Sequence, residues 1–173
     1  MVQQGSIGVI GASGTGLQEV TCRIDQLGAG VSQAIGTGGH DLHEEIGGIS
    51  MLFALNALAQ DNNTQTIVLI SKPPARSVAE KILQRAQTCG KPVVVIFLGA
   101  NPDEITRFGV HSAETLADAA DIAVALSEGK SRTSSHLTLS QSHIDLLEQH
   151  AHSLSCANTF AGYLPEGPFV MKA

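Results

Sequence analysis

The sequence predicts an α/β protein: a three-layer domain around a five-stranded parallel sheet, strand order 2-1-3-4-5. Three observations carry this. From residue 6 to residue 100, short β-branched runs alternate with longer helical patterns, as parallel strands joined by crossover helices do. Two of the runs, TIVLIS and PVVVIFLGA, are continuously apolar, which suits strands buried on both faces. A length of 173 residues with 43% hydrophobic content supports one core and little beyond it.

The first strand, Ile7 to Ala12, precedes Leu17, Val20, Ile24 and Leu27, whose three- and four-residue steps make one apolar helix face that stops at Gly28. GVSQAIGTGG is a second strand ending in glycines. ISMLFALNALAQ is an almost uniformly apolar helix, expected to be covered on more than one side and so to lie in a subunit or domain interface. TIVLIS, SVAEKILQRAQTCG and PVVVIFLGA supply the third strand, a crossover helix and the fourth strand. After Ala100 the pattern loosens into a short fifth strand around GVHS and a helix, AETLADAADIAVAL. Five strands at this spacing suit a flavodoxin-like sheet over residues 1–127. From Glu128 the texture turns polar, and EGKSRTSSHLTLSQS reads as a linker. One helix is expected from Gln141 to His152, followed by irregular structure in FAGYLPEGPFVMKA. Residues 128–173 are too few for a second core and are expected to pack on the sheet domain or on a partner chain.

Composition narrows the partners. A net charge of −6, 15% charged residues and no basic run argue against nucleic acid. Cys22, Cys89 and Cys156 are odd in number and form no CxxC pair, which suits reduced thiols with packing roles in a cytoplasmic protein. No apolar run approaches the ~20 residues of a membrane span, and MVQQGSIG lacks the features of a signal peptide.

The loop GASGTG follows the first strand. Ser13 is a good helix N-cap, Gly14 and Gly16 let the backbone approach a ligand closely, and the amides of the first turn, including that of Thr15, suit an anion. Two other readings stand beside this one: a plain βα turn, and a dinucleotide fingerprint. The latter has GxxGxG spacing at Gly11, Gly14 and Gly16 in place of GxGxxG, with a second glycine loop (Gly36, Gly38, Gly39) where a ribose-reading residue is wanted. Lys72 ends the third strand, and Pro73 and Pro74 hold it extended there. In a 2-1-3-4-5 sheet the first and third strands are neighbours at the topological switch point, so Ser13 and Lys72 are expected on two sides of one crevice. His40, Asp41, His43, Glu44 and Glu45 invite a metal reading, but acidic residues are also ordinary at a helix start, and no metal is expected. His143 and His150 share a face of the tail helix beside Leu146 and Leu147, read as a half-buried face. No GxSxG, Walker loop or HExxH is present.

GSIGVIGASGTGLQEV, GVSQAIGTGGHDL, TIVLISKPPARSVAEKI and GKPVVVIFLGA, in this order and spacing, resemble the flavodoxin-like ligase domain of the succinyl-CoA synthetase α subunit, and most closely the FdrA branch of that superfamily. The resemblance covers residues 5–127. It implies that the helix starting at Ser13, Gly14 and Thr15 faces a phosphate. Two departures accompany it. The long loop that presents a phosphohistidine after the fourth strand is missing, so that role is not carried over to His111. Where the synthetases place a glutamate at the end of the third strand, this chain has Lys72, which suits a free phosphate or acyl phosphate. The CoA-binding domain that precedes the ligase domain in the synthetases is expected to be absent.

The function implied is that of a ligase-like domain of an acyl-CoA synthetase relative. It would hold a small phosphate-bearing ligand with Ser13, Gly14, Thr15, Gly16, Gly38, Gly39 and Lys72, and use phosphate or coenzyme A together with a partner domain. Homo- or hetero-oligomers with other ligase or transferase subunits are expected, and no catalytic residue is assigned. The alternatives are a subunit of a carbamoyl or acyl transferase acting with phosphate, a non-catalytic assembly module, and an NADP-binding reductase.

Overall fold

The computed structural model describes residues 2–130. The elements run β1 (Gln4–Gly11), α1 (Gly14–Gln26), β2 (Val31–Gly36), a 3-10 turn (Gly39–Leu42), α2 (Ile49–Gln60), β3 (Thr66–Ser71), α3 (Arg76–Gln87), β4 (Val93–Phe97), α4 (Pro102–Thr106), β5 (His111–Ser112) and α5 (Leu116–Ser127). The strands form one parallel sheet in the order β2-β1-β3-β4-β5. This is the three-layer flavodoxin-like architecture that the sequence predicts.

Alternation along the central strands explains their continuous apolar runs. Ile67, Leu69, Val93, Val95 and Phe97 face α2, α3 and α4, whereas Val68, Ile70, Val94 and Ile96 face α1 and α5. Every residue of β3 and β4 is buried, so neither strand has a solvent face to mark with polar side chains. The edge strand β2 is more exposed, with Gln33, Ala34 and Gly36 open to solvent. Among the described residues no helix is long and apolar enough to cross a membrane.

Each crossover has a local reason to start and stop. The Ser13 hydroxyl accepts from the Gly16 amide at the start of α1. The helix ends in a Schellman motif: Gly28, at φ 79°, donates to Asp25 O, and Ala29 donates to Ile24 O. Helix α2 is capped from a distance. Asp41 is buried in the 3-10 turn, and its carboxylate accepts from the Ser50 and Met51 amides at 2.8 and 2.9 Å. At the other end of α2, the Lys91 ammonium donates to Leu58 O and Asp61 O.

Several elements depart from the sequence reading. The 3-10 turn and α4 were not anticipated, since four or five residues are too few to set an apolar period. β5 has only two residues. Among the described residues, α2 buries Met51, Ala54, Leu55 and Leu58, while Ile49 and Phe53 stand open. Cys22 is exposed on α1 and does not take the packing role expected of it, while Cys89 is half-buried; both are free thiols. The linker beyond Lys130, the helix expected from Gln141 to His152 with His143 and His150, and Cys156 lie outside the described residues.

Candidate functional site

The carboxyl ends of β1, β2 and β3 converge on one loop cluster, held by backbone hydrogen bonds. Ala12 donates to Ile70 O at the end of β3, and Thr37 donates to Gly11 O at the end of β1. Ala75, the N-cap of α3, donates to Leu42 O, tying the 3-10 turn to the loop that carries Lys72. These ties define a cleft of about 830 Å³ lined by Ala12, Ser13, Gly39, Leu42, His43, Glu44, Glu45, Lys72, Pro73 and Ala75.

The structure therefore brings Ser13, Gly39 and Lys72 to one cleft, on the sides that the strand order requires. Gly14 and Thr15 are exposed at the first turn of α1 just beyond the lining residues, and their amides have no acceptor among the described residues. Gly16 is turned inward, where an added Cβ would stand 3.0 Å from Ile70 Cγ2, so its role is close packing of α1 on the sheet. Gly38, at φ 80°, shapes the turn into Gly39. An added Cβ at Gly14, Gly36, Gly38 or Gly39 would meet nothing within 4 Å, which leaves the backbone of both glycine loops open to close approach.

Charges in the cleft are mixed. Lys72 is exposed just past the end of β3, and Glu44 and Glu45 are among the residues that line the same cleft. Glu44 is engaged with α3 through the Ser77 hydroxyl, 3.2 Å from its Oε1. His43 lines the cleft, its ring 4.7 Å from that of His40. No group of three metal-binding side chains gathers among the described residues, and Asp41 is occupied as the cap of α2. Sequence reasoning weighed His43, Glu44 and Glu45 as metal ligands or as an ordinary acidic helix start, and not as residues of this cleft. Their place in the cleft follows from the 3-10 turn, which Ala75 ties to the loop after β3 through Leu42 O.

Comparison with known proteins places this geometry in a family. Residues 2–99, which build β1 through β4, match the model of the CoA binding domain. The chain is 50% identical over 140 residues to the uncharacterized protein YahF of Escherichia coli, covering 81% of this chain and 27% of YahF. It is 29% identical over 124 residues to the malate–CoA ligase subunit alpha of Methylorubrum extorquens, covering 72% of this chain and 40% of that one. The chain thus spans well under half the length of these relatives. Among solved structures, the dinucleotide-forming acetyl-coenzyme A synthetase 1 of Ca. Korarchaeum cryptofilum superposes with a TM-score of 0.56 at 19% identity, covering 73% of this chain and 31% of that one. PH0766 from Pyrococcus horikoshii does so with a TM-score of 0.53 at 16% identity, covering 71% and 28%. These two share the fold.

The family match corrects one expectation. The four loops pointed to a ligase domain with the CoA-binding domain absent, yet the CoA binding domain is what residues 2–99 match. A strand, a glycine loop and a helix start recur throughout doubly wound sheets, so loops of this kind do not by themselves separate one such domain from another. The chain belongs to the CoA binding domain family, as a flavodoxin-like domain related to the CoA ligases.

Proposed function

We propose that this domain, part of an FdrA-type acyl-CoA synthetase relative, holds the phosphate of an acyl or carbamoyl phosphate, or of coenzyme A, between the amino end of α1 and Lys72. The observation that carries the reading is the convergence of Ser13, Gly39 and Lys72 on one cleft. The free amides of Gly14 and Thr15 add donors beside the positive end of the α1 dipole. The residues present suit a phosphate group of coenzyme A in chemistry: open glycine backbone, amide donors and one ammonium group. Coenzyme A, when bound, supplies the thiol that carries the acyl group.

Isothermal titration with phosphate, acetyl phosphate, carbamoyl phosphate and coenzyme A tests the site. Saturable binding of at least one is expected, and Lys72→Glu should weaken it about tenfold or more, as for a charge-assisted hydrogen bond turned into repulsion. Lys72 is exposed, so the variant should keep its fold. No heat with any of the four ligands, or an affinity that Lys72→Glu leaves unchanged, removes the reading.

A further inference from the structure

We propose, on the phosphate-binding reading of the cleft, that His43 is a proton-dependent ligand of the bound oxyanion, so that the site binds more tightly as pH falls through the histidine range. Among the side chains that line the cleft, one cation, Lys72, stands against two carboxylates, Glu44 and Glu45. A doubly charged phosphate therefore enters a lining that is already net negative, and the amides at the first turn of α1 bring only partial positive charge. His43 is the lining residue that can cancel this excess, because a histidine side chain changes charge between about pH 5 and pH 8.

The surroundings of His43 leave its ring to this task. Its backbone is fixed: the amide donates to His40 O, and the carbonyl accepts from the Ile46 and Gly47 amides. Asp41 stands two residues before it, but both oxygens of that carboxylate are taken by the Ser50 and Met51 amides. Glu44 accepts from the Ser77 hydroxyl on α3, and Arg76 at the start of α3 is paired with Glu80 at 3.3 Å. Ala12 to Gly16 and Gly36 to Gly39, the two glycine loops, carry no charge. The His40 ring is 4.7 Å from that of His43, but His40 does not line the cleft. What remain beside His43 in the lining are Glu45 and Lys72, one of each sign.

An oxyanion bound beside an imidazole favours its charged form. By linkage the charged form favours the oxyanion to the same degree, so affinity is greatest below the histidine range and declines as pH rises through it. A unit charge about 6 Å from a doubly charged oxyanion in a water-screened cleft is worth about tenfold in affinity. A histidine that only shaped the loop would show no such linkage.

Isothermal titration of the 173-residue chain with sodium sulfate at about pH 5.5 and about pH 8, at constant ionic strength, tests this. Sulfate keeps both charges across that range, whereas inorganic phosphate itself titrates within it. Binding should be about tenfold tighter at the lower pH, and near pH 6.5, in two buffers of different ionisation heat, it should take up part of a proton. His43→Gln should flatten the profile and abolish the proton uptake. His43→Lys, charged at both pH values, should also be flat and should match at about pH 8 the affinity of the parent at about pH 5.5. His43 is exposed, so both variants should keep the circular dichroism spectrum of the parent. His40→Gln should keep the pH dependence. Equal affinity at the two pH values, or a profile that His43→Gln leaves unchanged, overturns the proposal and leaves the phosphate reading standing. Sulfate that binds at neither pH also overturns it, and the phosphate reading falls with it only if phosphate, acetyl phosphate, carbamoyl phosphate and coenzyme A fail to bind as well.

Discussion

Asp61, just past the end of α2, shows how one carboxylate is tuned by its neighbours. The Thr64 hydroxyl, 2.7 Å from Oδ2, does most to hold it below the ordinary carboxylate value. The Asn63 amide and the Lys91 ammonium act in the same direction, and burial opposes them. A carboxyl group that binds its proton less readily when folded contributes stability above its unfolded value, near pH 4, and loses that contribution as pH falls through the folded value. Urea unfolding of Asp61→Asn should accordingly show a shallower decline in stability below about pH 4 than the parent chain. An unchanged slope would mean that the hydrogen bonds are as strong in the unfolded chain. Residues whose role is local were legible in the sequence. Ser13 caps α1 as its spacing implies, and Lys72 follows from a strand end held by two prolines. Asp41 was not legible as a cap, because the amides it accepts from lie nine and ten residues ahead and no short motif records that distance.

At the scale of elements, the start of the sheet is set by two glycines. Where β1 enters beside β2, an added Cβ on Gly30 would stand 2.5 Å from Gln4 backbone atoms, and one on Gly5 would stand 2.4 Å from Gly30 Cα. The pairing slips at this point, with Gln4 and Ile7 both opposite Val31. Backbone cannot move aside as a side-chain tip can, so Gly30→Ala should destabilise the fold by about 1–3 kcal/mol, the range for overpacking. Its urea midpoint should fall with little change in slope. The long elements, β1, α1, α2, β3, α3, β4 and α5, were legible because apolar period and run length agree over several residues. The 3-10 turn, α4 and β5 were not, since their form depends on what they pack against. The exposure of Phe53 was hidden for a related reason: an almost uniform apolar helix carries too little contrast to show which face the sheet takes.

For the molecule as a whole, strand order follows from the chain's own alternation, and it draws the ends of β1, β2 and β3 together at one cleft. That much of the site was legible, because topology fixes which strand ends are neighbours. Glu44 and Glu45 were not read as lining the same cleft, since their place depends on the 3-10 turn at Gly39–Leu42. Among the described residues every strand pairing is parallel, with no hairpin, and this bears on how the protein comes into being. Each strand must wait for a crossover to be made and folded before it finds a neighbour, so pairing is non-local throughout and folding is slow for the size. Until β1 and β4 flank it, the uncharged TIVLI of β3 is an open template for the same segment of another nascent chain, and VVVIF is in the same position before α5 docks. Refolding from urea should therefore lose yield steeply as protein concentration rises, measured as the soluble fraction after dilution. Synthesis from the amino end, which completes the β1-α1-β2 unit before β3 emerges, offers the chain a safer order of assembly than release from denaturant does.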